Sequence, residues 1–147
     1  MSSSAPDKKS FAAFLATSFE LLQGEMPDVY GLMCQRLAPR RLILNVDRES
    51  VALTFSHERV RFIEVPQTAA VYVSTTSRTV LRVIEAETNL TEGVLDDELY
   101  VRAQLDDLVA FHDALLAYVH GAVRAPSFPQ LLHEYRLFQR QDRDVAA

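Results

Sequence analysis

A chain of 147 residues, 48% apolar and 24% charged, is most simply one globular domain able to bury a core without disulfides or metal, which excludes wholesale disorder. Its formal charge of -5, with thirteen arginines scattered along the chain, excludes the concentrated basic face that nucleic acid requires. The polar opening "MSSSAPDKKS" has no apolar run behind its lysines, and no stretch approaches membrane-spanning length, so a cytoplasmic protein without an integral membrane segment is expected.

Residues 1–9 read as a loose tail. In "SFAAFLATSFELLQG", Ser10 is placed as an N-cap, Phe11, Phe14, Leu15, Phe19 and Leu22 recur at helical spacing, and Gly24 is a stop. A second helix fits "PDVYGLMCQRLAP" between Pro27 and Pro39, with Cys34 as a buried small hydrophobe. The period then shortens. Leu42, Leu44 and Val46 alternate with Arg41, Ile43 and Asn45, and after the turn "DRES" the alternation resumes at Val51, Leu53 and Phe55. Val60 and Phe62 form a third strand closed by Pro66, and Val71 and Val73 a fourth, giving an expected four-strand meander with one oily face.

Helical spacing returns in "TSRTVLRVIEAE", capped by Ser77 or Thr76, and a helical turn covers "TEGVL". Leu99, Val101 and Ala103 then alternate as a fifth strand. Behind it "LDDLVAFHDALLAYVHGAV" repeats apolar residues at Leu105, Leu108, Phe111, Leu115, Leu116 and Val119, a long helix that Gly121 and Pro126 should end. A last helix, capped by Ser127, carries Phe128, Leu131, Leu132, Tyr135 and Phe138 before a charged end that should fray. The expected organisation is an α+β domain over residues 10–124 and a C-terminal helix or lid over 125–147. It has two layers: a five-stranded, mainly antiparallel sheet with helices covering one face.

Clusters that could carry chemistry have simpler readings. Asp106 and Asp107 fall in a first helical turn, where carboxylates satisfy free amides and the positive dipole end. Asp96 and Asp97 precede the fifth strand, whose length separates the doublets and argues against a shared metal or acid/base site. His112 and His120 are two turns apart, too far to chelate one ion unaided. The four glycines include no phosphate loop. Arg59, Arg61 and Arg102 read as a solvated outer sheet face. No catalytic residue, metal or cofactor is expected, and attention passes to the apolar surface, where Phe55, Phe62, Leu81, Leu90, Phe111 and Leu115 converge.

The order helix, meander, helix, short turn, strand, long helix resembles the sterol carrier protein type 2 family. The matching piece is "TVLRVIEAETNLTEGVLDDELYVRAQLDDLVAFHDAL", within a resemblance spanning about Met26 to Gly121; Ala103-Gln104 and "DRES" stand where the family often has glycine-containing turns. The resemblance implies a hydrophobic tunnel between sheet and helices for fatty acyl, sterol or isoprenoid-like ligands, in a non-enzymatic, bacterial stand-alone domain. Phe55, Phe62, Val73, Leu81, Leu90, Val101, Phe111 and Leu115 are its expected lining, with Leu131, Tyr135 and Phe138 as the lid. About ten buried methylenes at ~0.8 kcal/mol each give about 8 kcal/mol, hence roughly micromolar affinity before ordering costs. The other expectation is an interaction module with a self-filled core, which dimerises or docks on an enzyme through its terminal helices.

Overall fold

The computed structural model describes residues 10–146, with side chains described through Gln139; the expected tail at 1–9 lies outside them. Helix α1 (Phe11–Glu25) starts where the Ser10 hydroxyl accepts the Ala13 amide, and the remaining first-turn donors at Phe11 and Ala12 point at the Glu49 carboxylate, at 2.9 and 2.8 Å. Helix α2 (Pro27–Leu37) opens on Pro27, whose missing N–H costs nothing there. The strands are β1 (Arg41–Val46), β2 (Glu49–Phe55), β3 (Val60–Ile63), β4 (Val71–Thr75) and β5 (Tyr100–Ala103). Helices α3 (Ser77–Ile84) and α4 (Leu90–Leu95) precede β5 and are capped by Thr76 and Asn89. Helices α5 (Leu105–Arg124) and α6 (Phe128–Ala146) follow it, and α6 continues beyond the point where its charged end was expected to fray.

The sheet order is β3-β2-β1-β4-β5, and this corrects the expected four-strand meander. Only β1, β2 and β3 form a meander; the chain then returns through residues 64–70 so that β4 pairs with β1 in parallel, while the other three pairings are antiparallel. Strand β1 thus lies at the centre, bonded on both sides. The "DRES" turn is tighter than expected, because Val46 already pairs with Glu49 and only Asp47 and Arg48 lie between the strands. Asp47 takes φ 56, a left-handed conformation that aspartate tolerates better than branched residues.

Asp47 and Glu49 do more than turn the chain. The Asp47 carboxylate accepts from the Ser77 hydroxyl at 2.6 Å and from the Ser77 amide, so the hairpin holds the starts of both α1 and α3. Ser77 also meets the Tyr135 hydroxyl at 2.9 Å, which brings α6 into the same joint. The core lies between the inner sheet face and the helices, from Phe11 on α1 to Tyr135 on α6. Its few polar groups are paired: the Tyr118 hydroxyl donates to Ser18, which donates onward to the Leu15 carbonyl. Cys34 is fully buried, and burial pushes its thiol pKa up.

Two expectations about α5 are corrected. The helix passes through Gly121 to Arg124, because that glycine serves close packing: a Cβ there would stand 2.8 Å from Leu22 Cδ2 and 2.9 Å from Val29 Cγ1. The buried side carries small residues, Ala114, Ala117, Gly121 and Ala122, together with Phe111 and Tyr118. Leu105 and Leu116, read from the sequence as part of the core stripe, face outward. Large side chains could not sit where α1 and α2 approach the α5 backbone so closely.

Candidate ligand-binding cavity

The inner faces of β1, β2 and β4 contribute Leu42, Leu44, Val46, Leu53, Phe55 and Val73 to one side of a cavity of about 130 Å³. Helix α1 closes it with Phe11, Phe14, Leu15 and Phe19, and α3, α4 and α5 complete the wall through Ile84, Leu90, Phe111, Ala114 and Leu115. Among the described lining residues, only Thr75, Thr79 and Tyr118 carry side-chain hydroxyls. The Thr75 hydroxyl is bound to the Glu98 carbonyl and Tyr118 to Ser18, so the surface that a guest would meet is almost wholly hydrocarbon. Burial pushes the Tyr118 hydroxyl far above its ordinary pKa, keeping it neutral.

Of the eight residues expected to line a ligand site, Phe55, Val73, Leu90, Phe111 and Leu115 border this cavity. Three do not. Phe62 stands opposite Leu53 on the edge strand β3, 41% exposed, its ring 6.3 Å from Phe19. Val101 packs beside Val73 on β5, beyond the cavity wall. Leu81 points to a second, polar cleft. The aromatic wall of α1 was missed in the sequence, although Phe11, Phe14 and Phe19 give that helix an unusually aromatic stripe.

The second cleft encloses about 1120 Å³ between the β1–β2 hairpin, the start of α3 and the side of α6. Phe11, Val46 and Thr79 border both spaces, so one layer of side chains separates oil from water. Its walls include Leu81, Tyr135 and Phe138 beside many charged groups. Most of these charges are engaged: Asp47 and Glu49 with helix starts, Arg82 with Glu98 at 2.8 Å, and Arg136 with Glu85. Among the described residues, Arg48 and Arg78 have no acidic partner and Asp97 no basic one, and all three are exposed.

The expected lid is firmly docked. The Tyr135 ring stacks on Phe14 at 4.4 Å, Phe128 is fully buried, and the Tyr135 hydroxyl pKa is pushed up to about 12, first by burial and also by Asp47 and Glu49. Tyr135 and Phe138 border the cleft, whereas Leu131 packs against the core and borders neither space. At the start of α6, Ser127 was expected as a cap; its amide and hydroxyl instead donate to the Glu25 carboxylate, whose pKa they lower. Among the described residues no group of three histidine, cysteine or acidic side chains could hold a metal ion, and no helix is long and apolar enough to cross a membrane. The acidic doublets are separated as expected: Asp106 and Asp107 open α5, and Asp107 meets Arg40 at 2.7 Å.

This architecture, a five-stranded mixed sheet with β4 returning beside β1 and helices enclosing an apolar space, is the fold of the sterol carrier protein 2 domains. A UbiJ-SCP2 ubiquinone synthesis protein is similar at TM-score 0.56 and 21% identity, over 74% of this chain and 99% of the other. A hypothetical protein from Thermus thermophilus, described as possibly a sterol carrier protein, gives TM-score 0.54 and 17% identity over 86% and 96%. A sterol carrier protein 2 gives TM-score 0.54 and 14% identity over 77% and 95%. No family model matches the chain, and no curated protein matches it.

Proposed function

We infer that the protein binds a lipid or other long apolar molecule without acting on it chemically, with an apolar end in the inner cavity and a polar end in the adjoining cleft. The observation that carries this reading is the pair of spaces bordered in common by Phe11, Val46 and Thr79, one almost purely hydrocarbon and one charged. The likeness in fold to sterol carrier proteins supports it.

Size narrows the ligand. A cavity of about 130 Å³ is close to the about 150 Å³ that accommodates benzene in a dry apolar site, so it takes on the order of six carbons. At ~0.8 kcal/mol per methylene that group contributes about 5 kcal/mol, short of micromolar affinity. A longer ligand therefore parts the shared layer of Phe11, Val46 and Thr79 and lies partly along Leu81, Tyr135 and Phe138, and the exposed Arg48 and Arg78 favour an anionic end such as a carboxylate or phosphate. Native mass spectrometry of gently purified protein should show a bound apolar molecule, and a fluorescent fatty acid should be displaced by unlabelled fatty acid more readily than by the matching alcohol. A clean apo mass with no displacement by either would end the carrier reading; equal displacement by both would remove the arginines from it.

The terminal-helix docking alternative has less support, because the aromatic side chains of α1 and α6 are spent on each other: Phe14 and Phe11 meet Tyr135, and Phe14 meets Phe128.

A further inference from the structure

Helix α5 is apolar on two opposite sides, and among the described residues only one is covered. Against the buried side stand Leu105, Val109, Leu116 and Val123, which are 73%, 51%, 53% and 60% exposed. At 3.6 residues per turn these four project within about 40° of one another, nearly opposite the buried residues. Val109, Leu116 and Val123 recur every seven residues, and Leu105, His112 and Val119 form the companion series at the same interval. This is the pattern of a seam between two helices. A helix apolar all round belongs where both sides are covered, and a contiguous exposed stripe of this kind marks a contact surface.

The charges beside the stripe identify what covers it. Along one flank stand Asp106 and Asp113 in the first half of the helix and His120 and Arg124 in the second. Arg124 contacts the His120 ring at 2.9 Å, and among the described residues neither Asp106 nor Arg124 has an oppositely charged partner in its own chain. A second copy of the helix laid antiparallel across a two-fold axis sets Asp106 beside the other copy's Arg124, and does so twice. A parallel arrangement puts the two charged flanks on opposite sides of the seam, where Asp106 and Arg124 face the other copy's apolar flank and find no opposite charge. A lipid surface suits this face poorly, because α5 contains no lysine and three aspartates, whereas helices that lie on membranes carry a basic polar side.

We propose that this face is the interface of a two-fold homodimer in which α5 packs antiparallel on α5 of a second copy of the chain. The contact runs along a helix about 30 Å long and is isologous, the commonest arrangement for soluble homo-oligomers. The inference does not depend on what the cavity holds.

Sedimentation velocity of the full chain across a concentration series tests it, and a reversible monomer–dimer equilibrium is expected. Leu116→Glu, at the middle of the stripe and exposed, should give a monomer with an unchanged circular dichroism spectrum. Asp106→Arg should weaken the dimer at least about tenfold, since each copy of the change places like charges together, and adding Arg124→Asp in the same chain should restore it. Leu32→Glu, 42% exposed on α2, should leave the dimer intact. A wild-type chain monomeric at every concentration overturns the proposal, as does a dimer indifferent to both Leu116→Glu and Asp106→Arg. Cosedimentation of a monomer with phosphatidylcholine/phosphatidylglycerol vesicles that is lost in Leu116→Glu overturns it in favour of a lipid surface.

Discussion

Filling the cavity from the α5 side separates empty space from packed core by the sign of one measurement. Ala114 is 2% exposed and borders the cavity, and Ala114→Leu adds three carbons that would project into it. At ~0.8 kcal/mol per carbon the gain is about 2.4 kcal/mol, reduced by about 0.5–1 kcal/mol of lost leucine rotamer freedom to a net of about 1.5 kcal/mol. For a chain of this size that is an increase in Tm of about 3–6 °C. Urea titration should show a higher midpoint at unchanged slope, and displacement of the fluorescent fatty acid should be lost in the same variant. In a solid interior the same substitution overpacks and destabilises by about 1–3 kcal/mol. A lower midpoint combined with undiminished ligand binding would refute the reasoning.

Gly121→Val places a branched side chain where even a Cβ lies 2.8 Å from Leu22 Cδ2, and should cost on the order of 2–3 kcal/mol by urea titration. Gly121→Ala should cost less, because it recovers the roughly 1 kcal/mol that glycine gives up inside a helix. Tyr135→Phe removes the hydroxyl from Ser77 and should lose about 1 kcal/mol near neutrality. The raised Tyr135 pKa means its contribution is complete below the ordinary tyrosine value of 10.0 and disappears as pH rises through about 12, so the variant should lack that part of the alkaline decline in thermal stability. Glu25 has the opposite sign: its lowered pKa gives stability above the ordinary carboxylate value that is lost as pH falls through the folded-state value. Tm measured from neutral to acid pH should therefore fall less in Glu25→Gln than in the wild type.

Local period carried most of the fold into view. The helix starts at Ser10 and Pro27, the strand alternation and the separation of the acidic doublets all follow from rules that act within a few residues. Strand order does not, since Val71 and Val73 alternate in the same way whether their neighbour is β3 or β1, and the parallel pairing emerged only from the assembled sheet. The cavity was legible as a convergence of oily faces, but its aromatic wall from α1 was not, because no local signal separates a phenylalanine that packs solidly from one that borders a void. The buried side of α5 was misjudged for a related reason. Side-chain size was read as a sign of burial, whereas the closeness of α1 and α2 reserves that side mainly for alanine and glycine, leaving Leu105 and Leu116 outside.

The stacking of Tyr135 on Phe14 joins the first helix to the last across 121 positions of sequence, and Phe128 completes the same joint. During synthesis the earlier elements emerge with the back of α1 bare, and that surface is covered only after α6 leaves the ribosome. A nascent chain halted before Phe128 would expose an aromatic ridge to chaperones and leave the α1 wall of the cavity incompletely supported.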